Sequence, residues 1–275
     1  MKNFIYFIFV YLIMVACNSN YEQKTESQYK ELIQSRLECM NMSRPSDSYN
    51  YPVYPGMKEW VNFTTGQQML DACQIPINIL EKMSTQAVIQ AIWEHPLLFD
   101  VLHRYEFQED FEAMFSQNNA YKELVRRKDA ETSLLTRLKL VNPLTQDVVP
   151  ESQSLELLIS QTSFLVQLNN DQKKEIIDIA FKNDDLRQND AELTNSPYRA
   201  ITWLLIGRTL VAADYIPFVE AIDKNNQLKY FLDGWIPQQN ETHVNTGYVY
   251  MEQIYGAIPQ CIINFGKDFL NEKQE

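Results

Sequence analysis

Four groupings of residues have types that could do chemistry. The stretch "WEHPLLFDVLH" gathers Glu94, His95, Asp100 and His103, a set able in principle to hold a metal or move protons. Zinc ligands on one helix sit at i and i+3 or i+4, as in H-E-x-x-H, so that both rings meet one ion. Here the histidines are eight positions apart with Pro96 between them, which does not aim both rings at one point, and surface or capping histidines are the better expectation. Glu106, Glu109, Asp110 and Glu112 could supply the acid and base of a glycosidase. These acids alternate with Phe107, Phe111 and Phe115, the pattern of a solvated helix face opposite a buried one. Trp235, Tyr248, Tyr250 and Tyr255 could stack a sugar, although aromatics in an apolar tail are more often core. Of these, Trp235, Tyr248 and Tyr250 are kept as candidate ligand contacts. The last grouping is a lone thiol, Cys17, at the end of an uncharged run.

That run is the most informative stretch of the chain. Lys2 and the N-terminal amine precede Phe4–Val15, twelve uninterrupted uncharged residues, and polar residues follow from Asn18. A bilayer-spanning helix needs about 20 apolar residues, whereas the core of a signal peptide needs roughly 7–15. Ala16, a small residue, stands directly before Cys17. The combination resembles a bacterial lipoprotein signal, with Met14 at the position where that pattern prefers Leu. The resemblance implies removal of a signal peptide, residues 1–16, and lipid attachment at Cys17. Asn18, in place of Asp, lacks the inner-membrane retention signal known for enterobacterial lipoproteins, which implies the outer membrane. Residues 17–28 then read as a flexible tether.

Composition excludes more than it assigns. A net charge of −12 over 275 residues repels phosphate backbones, and the longest basic stretch is "RRK" at 126–128, so nucleic acid is not an expected partner. There is no G-x-S-x-G, no P-loop, no G-x-G-x-x-G and no Cys-x-x-Cys. No metal or cofactor is expected, and the reading leans away from an enzyme. With Cys17 consumed by lipid, three cysteines remain. Cys73 and Cys261 lie in apolar surroundings and are expected to be buried thiols, with a Cys39–Cys73 bridge left open.

The elements that must position these residues are helices. Only seven glycines occur, too few for many tight turns or phosphate-cradling loops. Residues 29–40 read as a first amphipathic helix and 41–56, with three prolines, as an irregular connection. Thr65 starts the next helix, Pro76 opens a short one, and Ser84 or Thr85 caps another that ends at Pro96. A helix over 119–141 is interrupted by a charged turn at 126–131, with Val125 in its apolar set. A Pro-containing break at 142–150 is the candidate internal boundary. Beyond it, Ser196 and Pro197 signal a helix start, a break falls near Asn225, and the tail reads as helical with a short strand as rival. About nine to eleven helices, too short to stand alone, predict an all-α domain over 29–275. The expected arrangement is an array of short helices packed as hairpins, α-solenoid-like or irregular.

Trp60, Met69, "CQIP" at 73–76, "MST" at 83–85, "HPLL" at 95–98, "KEL" at 122–124 and "RRKDA" at 126–130 form a string of landmarks. The string resembles an uncharacterised helical lipoprotein family of Bacteroidetes-type bacteria, over roughly residues 60–135. The resemblance implies a lipoprotein and a helical fold, and it brings no chemistry with it. The expected function is a lipid-anchored protein of the bacterial cell envelope, acting as a non-enzymatic helical scaffold for a protein or peptide partner. The alternative is a surface lipoprotein that binds or processes glycans.

Overall fold

A computed structural model describes residues 31, 43–98, 107–144, 151–191, 193, 194, 196, 198–234 and 256–272. Among the described residues there are fourteen helices and no strand, so the chain is all-α. Contacts divide it into two compact units. One comprises residues up to 101 with 112–126, and the other comprises 102–111 with 127–275.

The first unit holds α1 (Lys58–Val61), α2 (Gly66–Ala72), α3 (Ile77–Leu80), α4 (Thr85–Trp93), the end of α5 (Phe107–Phe115) and α6 (Asn119–Arg126). Three of these are only one or two turns long, so their ends matter. At α2 the Thr65 hydroxyl accepts from the Gln68 amide while the Gln68 side chain accepts from Thr65, a complete capping box. At α4 the Ser84 Oγ accepts from the Ala87 amide at 3.2 Å. Every residue of α4 from Ala87 to Trp93 is buried, and α4 packs on α6. Residues 43–56, read from sequence as a connection, have no helix and yet belong to the core: Tyr51 is 1% exposed and Tyr54 8%. Val125 departs from expectation in the other direction. It is exposed because the charged turn ends α6 at Arg126, and the face that packs is Ala120 and Leu124.

The second unit holds the start of α5 and α7 (Ala130–Leu140), α8 (Glu151–Ile159), α9 (Thr162–Leu165), α10 (Asn170–Gln188), α11 (Arg199–Ala212), α12 (Ile216–Lys224), α13 (Asn226–Leu232) and α14 (Ile258–Asn271). It is built around α11, which packs on α8, α10 and α14 and also meets α9, α12 and α13. A helix apolar all round must be buried all round, and α11 buries Arg199–Gly207, Thr209 and Leu210. In a solenoid each repeat touches only its neighbours. A central helix meeting partners far away in sequence makes this unit the irregular alternative. The break at 142–150 lies inside it, with α7 and α8 packing from either side.

The expected start of α11 is corrected. The helix begins at Arg199 with Tyr198 at the cap position, and Ser196 contributes its carbonyl to the Arg199 amide instead of a side-chain cap. The break at Asn225 is where composition placed it. Its Oδ1 accepts from the amides of Gln227 and Leu228 at 3.0 and 3.2 Å, which starts α13.

Two glycines let the helices of this unit approach. A Cβ on Gly266 would lie 2.7 Å from the Phe181 ring and 3.1 Å from Ile206 Cγ2, whereas on Gly207 it would meet chiefly the movable end of Leu232 at 2.5 Å. Overpacking costs typically about 1–3 kcal/mol, against about 1 kcal/mol gained from alanine's helix propensity. Thermal melts should therefore show Gly266→Ala clearly destabilised and Gly207→Ala close to wild type. Equal melting temperatures for the two variants would contradict this packing.

Candidate functional site

In the first unit, Glu94 and His95 terminate α4. The Glu94 carboxylate accepts from Arg44 Nε at 2.8 Å and Nη2 at 2.9 Å, and from Gln90 Nε2 at 2.5 Å. Both its oxygens are thus engaged. His95 is 3% exposed, with its ring 5.6 Å from both Tyr51 and Phe115. Its Nδ1 accepts from the Leu97 amide at 3.2 Å, while Nε2 is buried without a partner. Burial pushes this imidazole down to about 3, so it is neutral at neutral pH. A general base must reach the proton that it takes, and a ring closed in by two aromatic side chains does not. His95 is a core histidine. His103 and Asp100 lie outside the described residues.

Cys73 is fully buried, and burial pushes its thiol up to about 12. It is therefore held as a thiol, the unreactive form. Cys261 is only half-buried, contrary to the sequence reading, because it faces outward on α14. There it joins Ala257, Gln260, Asn264, Phe265 and Asp268 in lining an open groove of about 400 Å³. A second open groove, about 650 Å³, runs beside the start of α10, where Lys174 Nζ donates to the Glu272 carbonyl at 2.8 Å. Glu112 is exposed on α5. Among the described residues, no three His, Cys, Asp or Glu side chains are placed to hold a metal, and no helix is long and apolar enough to cross a membrane.

The most concentrated chemistry in the second unit is internal. Arg187 and Glu156 both have fully buried side chains. Arg187 Nη2 donates to Glu156 Oε1 and Ser152 Oγ, both at 2.8 Å. Nη1 donates to Glu156 Oε2 at 3.2 Å and Thr202 Oγ1 at 2.6 Å, and Nε reaches the Pro143 carbonyl at 3.2 Å. All five guanidinium hydrogens are accounted for. Glu156 also accepts from Thr202 Oγ1 at 2.5 Å and Asn183 Nδ2 at 3.1 Å. Alongside, Arg199 grips Asp184 at 2.8 and 3.1 Å, and Trp203 Nε1 donates to the same carboxylate at 3.3 Å. A network this closed fixes α8, α10 and α11 to one another and offers no free valence to a ligand. Sequence reasoning missed it. The readable signal was Glu156, a lone acid inside the apolar run "LELLI".

Cys17, Cys39, Trp235, Tyr248, Tyr250 and Tyr255 lie outside the described residues, as does Glu106. No protein-family model, curated protein or solved structure matches this chain.

Proposed function

We propose that the chain is a lipid-anchored protein of the bacterial cell envelope, processed before Cys17, whose helical body is a non-enzymatic scaffold for a protein or peptide partner. The observation that carries this reading is the apolar run Phe4–Val15 closed by Ala16–Cys17 and followed by a polar tether. The helical body supports the scaffold part. Three of its ion pairs, Arg187–Glu156, Arg199–Asp184 and Arg44–Glu94, are turned inward as packing elements, and its histidine and thiol at 95 and 73 are sealed in the core. What it leaves outside includes aliphatic side chains such as Ile77, Val211 and Ile216, 60%, 44% and 56% exposed, which is surface that a partner could cover. The outer membrane is the proposed location.

Replacing Cys17 with Ser tests the anchor. Labelling with a radioactive fatty acid should be lost, and the protein should either leave the membrane fraction or accumulate at precursor size. Lipid label retained by Cys17→Ser would sink the proposal. Mild affinity capture of the intact protein from its native envelope tests the scaffold, and repeated recovery of nothing above background would count against it.

A further inference from the structure

The outward stripe of α14 is laid out in two rows. Ala257, Cys261 and Phe265 recur at every fourth position, and Gln260, Asn264 and Asp268 run beside them. Together they line the open groove of about 400 Å³, while Ile262, Gly266 and Phe269 on the other side of the helix are buried. Rows spaced by four residues form the grooves that accept a matching ridge of another helix. One end of this surface is fixed by the corner between α11 and α12. There the Tyr215 ring lies 6.4 Å from Phe265 and 5.3 Å from Phe269, and Phe218 lies 5.3 Å from Phe265. The same corner leaves Val211 and Ile216 exposed. Asp214 precedes Tyr215, and burial pushes the Tyr215 phenol up with help from the negative charges of Glu272 and Asp268. All three carboxylates are exposed and none has a side-chain partner among the described residues. Lys267, seven positions after Gln260, borders the polar row, and Lys174 is turned to the Glu272 carbonyl and the Phe269 ring. The corner is left with more negative than positive charge.

We propose that this stripe of α14 receives a basic amphipathic helix of a partner protein, its apolar side chains on Ala257, Cys261 and Phe265 and its lysines or arginines toward Asp214, Asp268 and Glu272. The spacing selects a helix. An extended peptide binds by adding to a sheet edge, and there is no strand among the described residues. The charge selects a basic one. A second copy of this chain would bring the same carboxylates and a net charge of −12 to the corner, which opposes its approach. Exposed ion pairs add little affinity, so the apolar row supplies the burial while the carboxylates set orientation and association rate. This inference deepens the scaffold reading above and rests on it for the existence of a partner.

Cys261 is a built-in reporter, because its half-buried thiol lies in the groove whereas Cys73 is fully buried. The test uses the full chain in neutral phosphatidylcholine nanodiscs, which leave the groove free of detergent. A pyridyl disulfide is added, and labelling of the Cys261 and Cys73 peptides is followed by mass spectrometry. The probe is a synthetic helical peptide as long as α14, with leucine at every fourth position and lysine beside it. Its counterpart carries glutamate in place of lysine. Without peptide, Cys261 should label faster than Cys73. The lysine peptide at about 0.1 mM should slow Cys261 about fivefold, which corresponds to a Kd of about 25 μM. The glutamate peptide should leave the rate unchanged, and about 0.5 M salt should weaken the lysine peptide's protection. Asp268→Lys with Glu272→Lys, both at exposed positions, should lose protection by the lysine peptide and gain it from the glutamate one, with the helical circular dichroism intact. Equal protection by both peptides, or none by the lysine one, would overturn the proposal. So would a Cys261 that labels no faster than Cys73 without peptide, which would give the groove to residues 235–255 or to a second copy. The capture experiment above tests whether a partner exists and this one tests what α14 receives, so the two readings fail separately.

Discussion

Truncating Arg187 to Ala is expected to destabilise the second unit by about 3–5 kcal/mol, the usual consequence of stranding one member of a buried ion pair. Arg187 sits at 0% exposure and spends every donor on Glu156, Ser152, Thr202 and the Pro143 carbonyl. Without it, Glu156 keeps a buried negative charge met only by Thr202 and Asn183. Urea denaturation at neutral pH measures the loss. The informative companion is Arg187→Met with Glu156→Leu, which removes both charges together. Replacing a buried pair by apolar groups of similar volume is often neutral or better, so most of the lost stability should return. The recovery should stay incomplete, because the Asn183 amide loses its acceptor. A double variant no more stable than Arg187→Ala would show that shape, and not charge, governs this site.

Acid should be nearly as damaging to the first unit, through His95. In the folded protein burial pushes its imidazole down to about 3, from an ordinary value of 6.5. Between those values the unfolded chain binds a proton that the folded one does not, so stability falls as pH falls. The loss begins below pH 6.5, runs at about 1.4 kcal/mol per pH unit, and reaches about 4–5 kcal/mol near pH 3. His95→Asn places an acceptor near the Nδ1 position for the Leu97 amide but cannot take up the proton. It should be less stable at pH 7, because the smaller side chain leaves a cavity. Its stability should nevertheless change more slowly between pH 6.5 and 4, by about one proton's worth of slope. A variant slope equal to that of the wild type would exclude His95 as the source.

Much of the helical skeleton is legible without a fold, because the signals are local. Thr65, Ser84 and Asn225 each have a short polar side chain that satisfies amides within its own first turn, so neighbours three residues away suffice to recognise them. His95 was not so readable: expected at the surface or as a cap, it is a buried core ring, because Tyr51 and Phe115 close over it. Pro96 after His95 prevents a ligand pair at helical spacing, and the Phe alternation around Glu112 marks a solvated face. Val125 and Ser196 mislead because each fits a local pattern that its neighbours override. Val125 has the right period on a helix that ends one residue later, and the turn before α11 is held by Arg199 reaching back to the Thr194 carbonyl at 2.8 Å.

The sequence by itself determined the helical class, most helix ends, the net negative charge of the body, and the N-terminal pattern on which the anchor proposal stands. These depend on composition, on spacing within a turn or two, and on the length of one apolar run. Only the tertiary structure decided that Tyr51 and Tyr54 of a proline-rich segment are core, that α11 is a hub, and that Arg187 closes a buried network with Glu156. Each of these joins residues 30 or more positions apart, as with the 31 between Glu156 and Arg187 and the 40 between Tyr51 and Ala91. Burial at such distances depends on which faces the other helices leave open. No local periodicity carries that information.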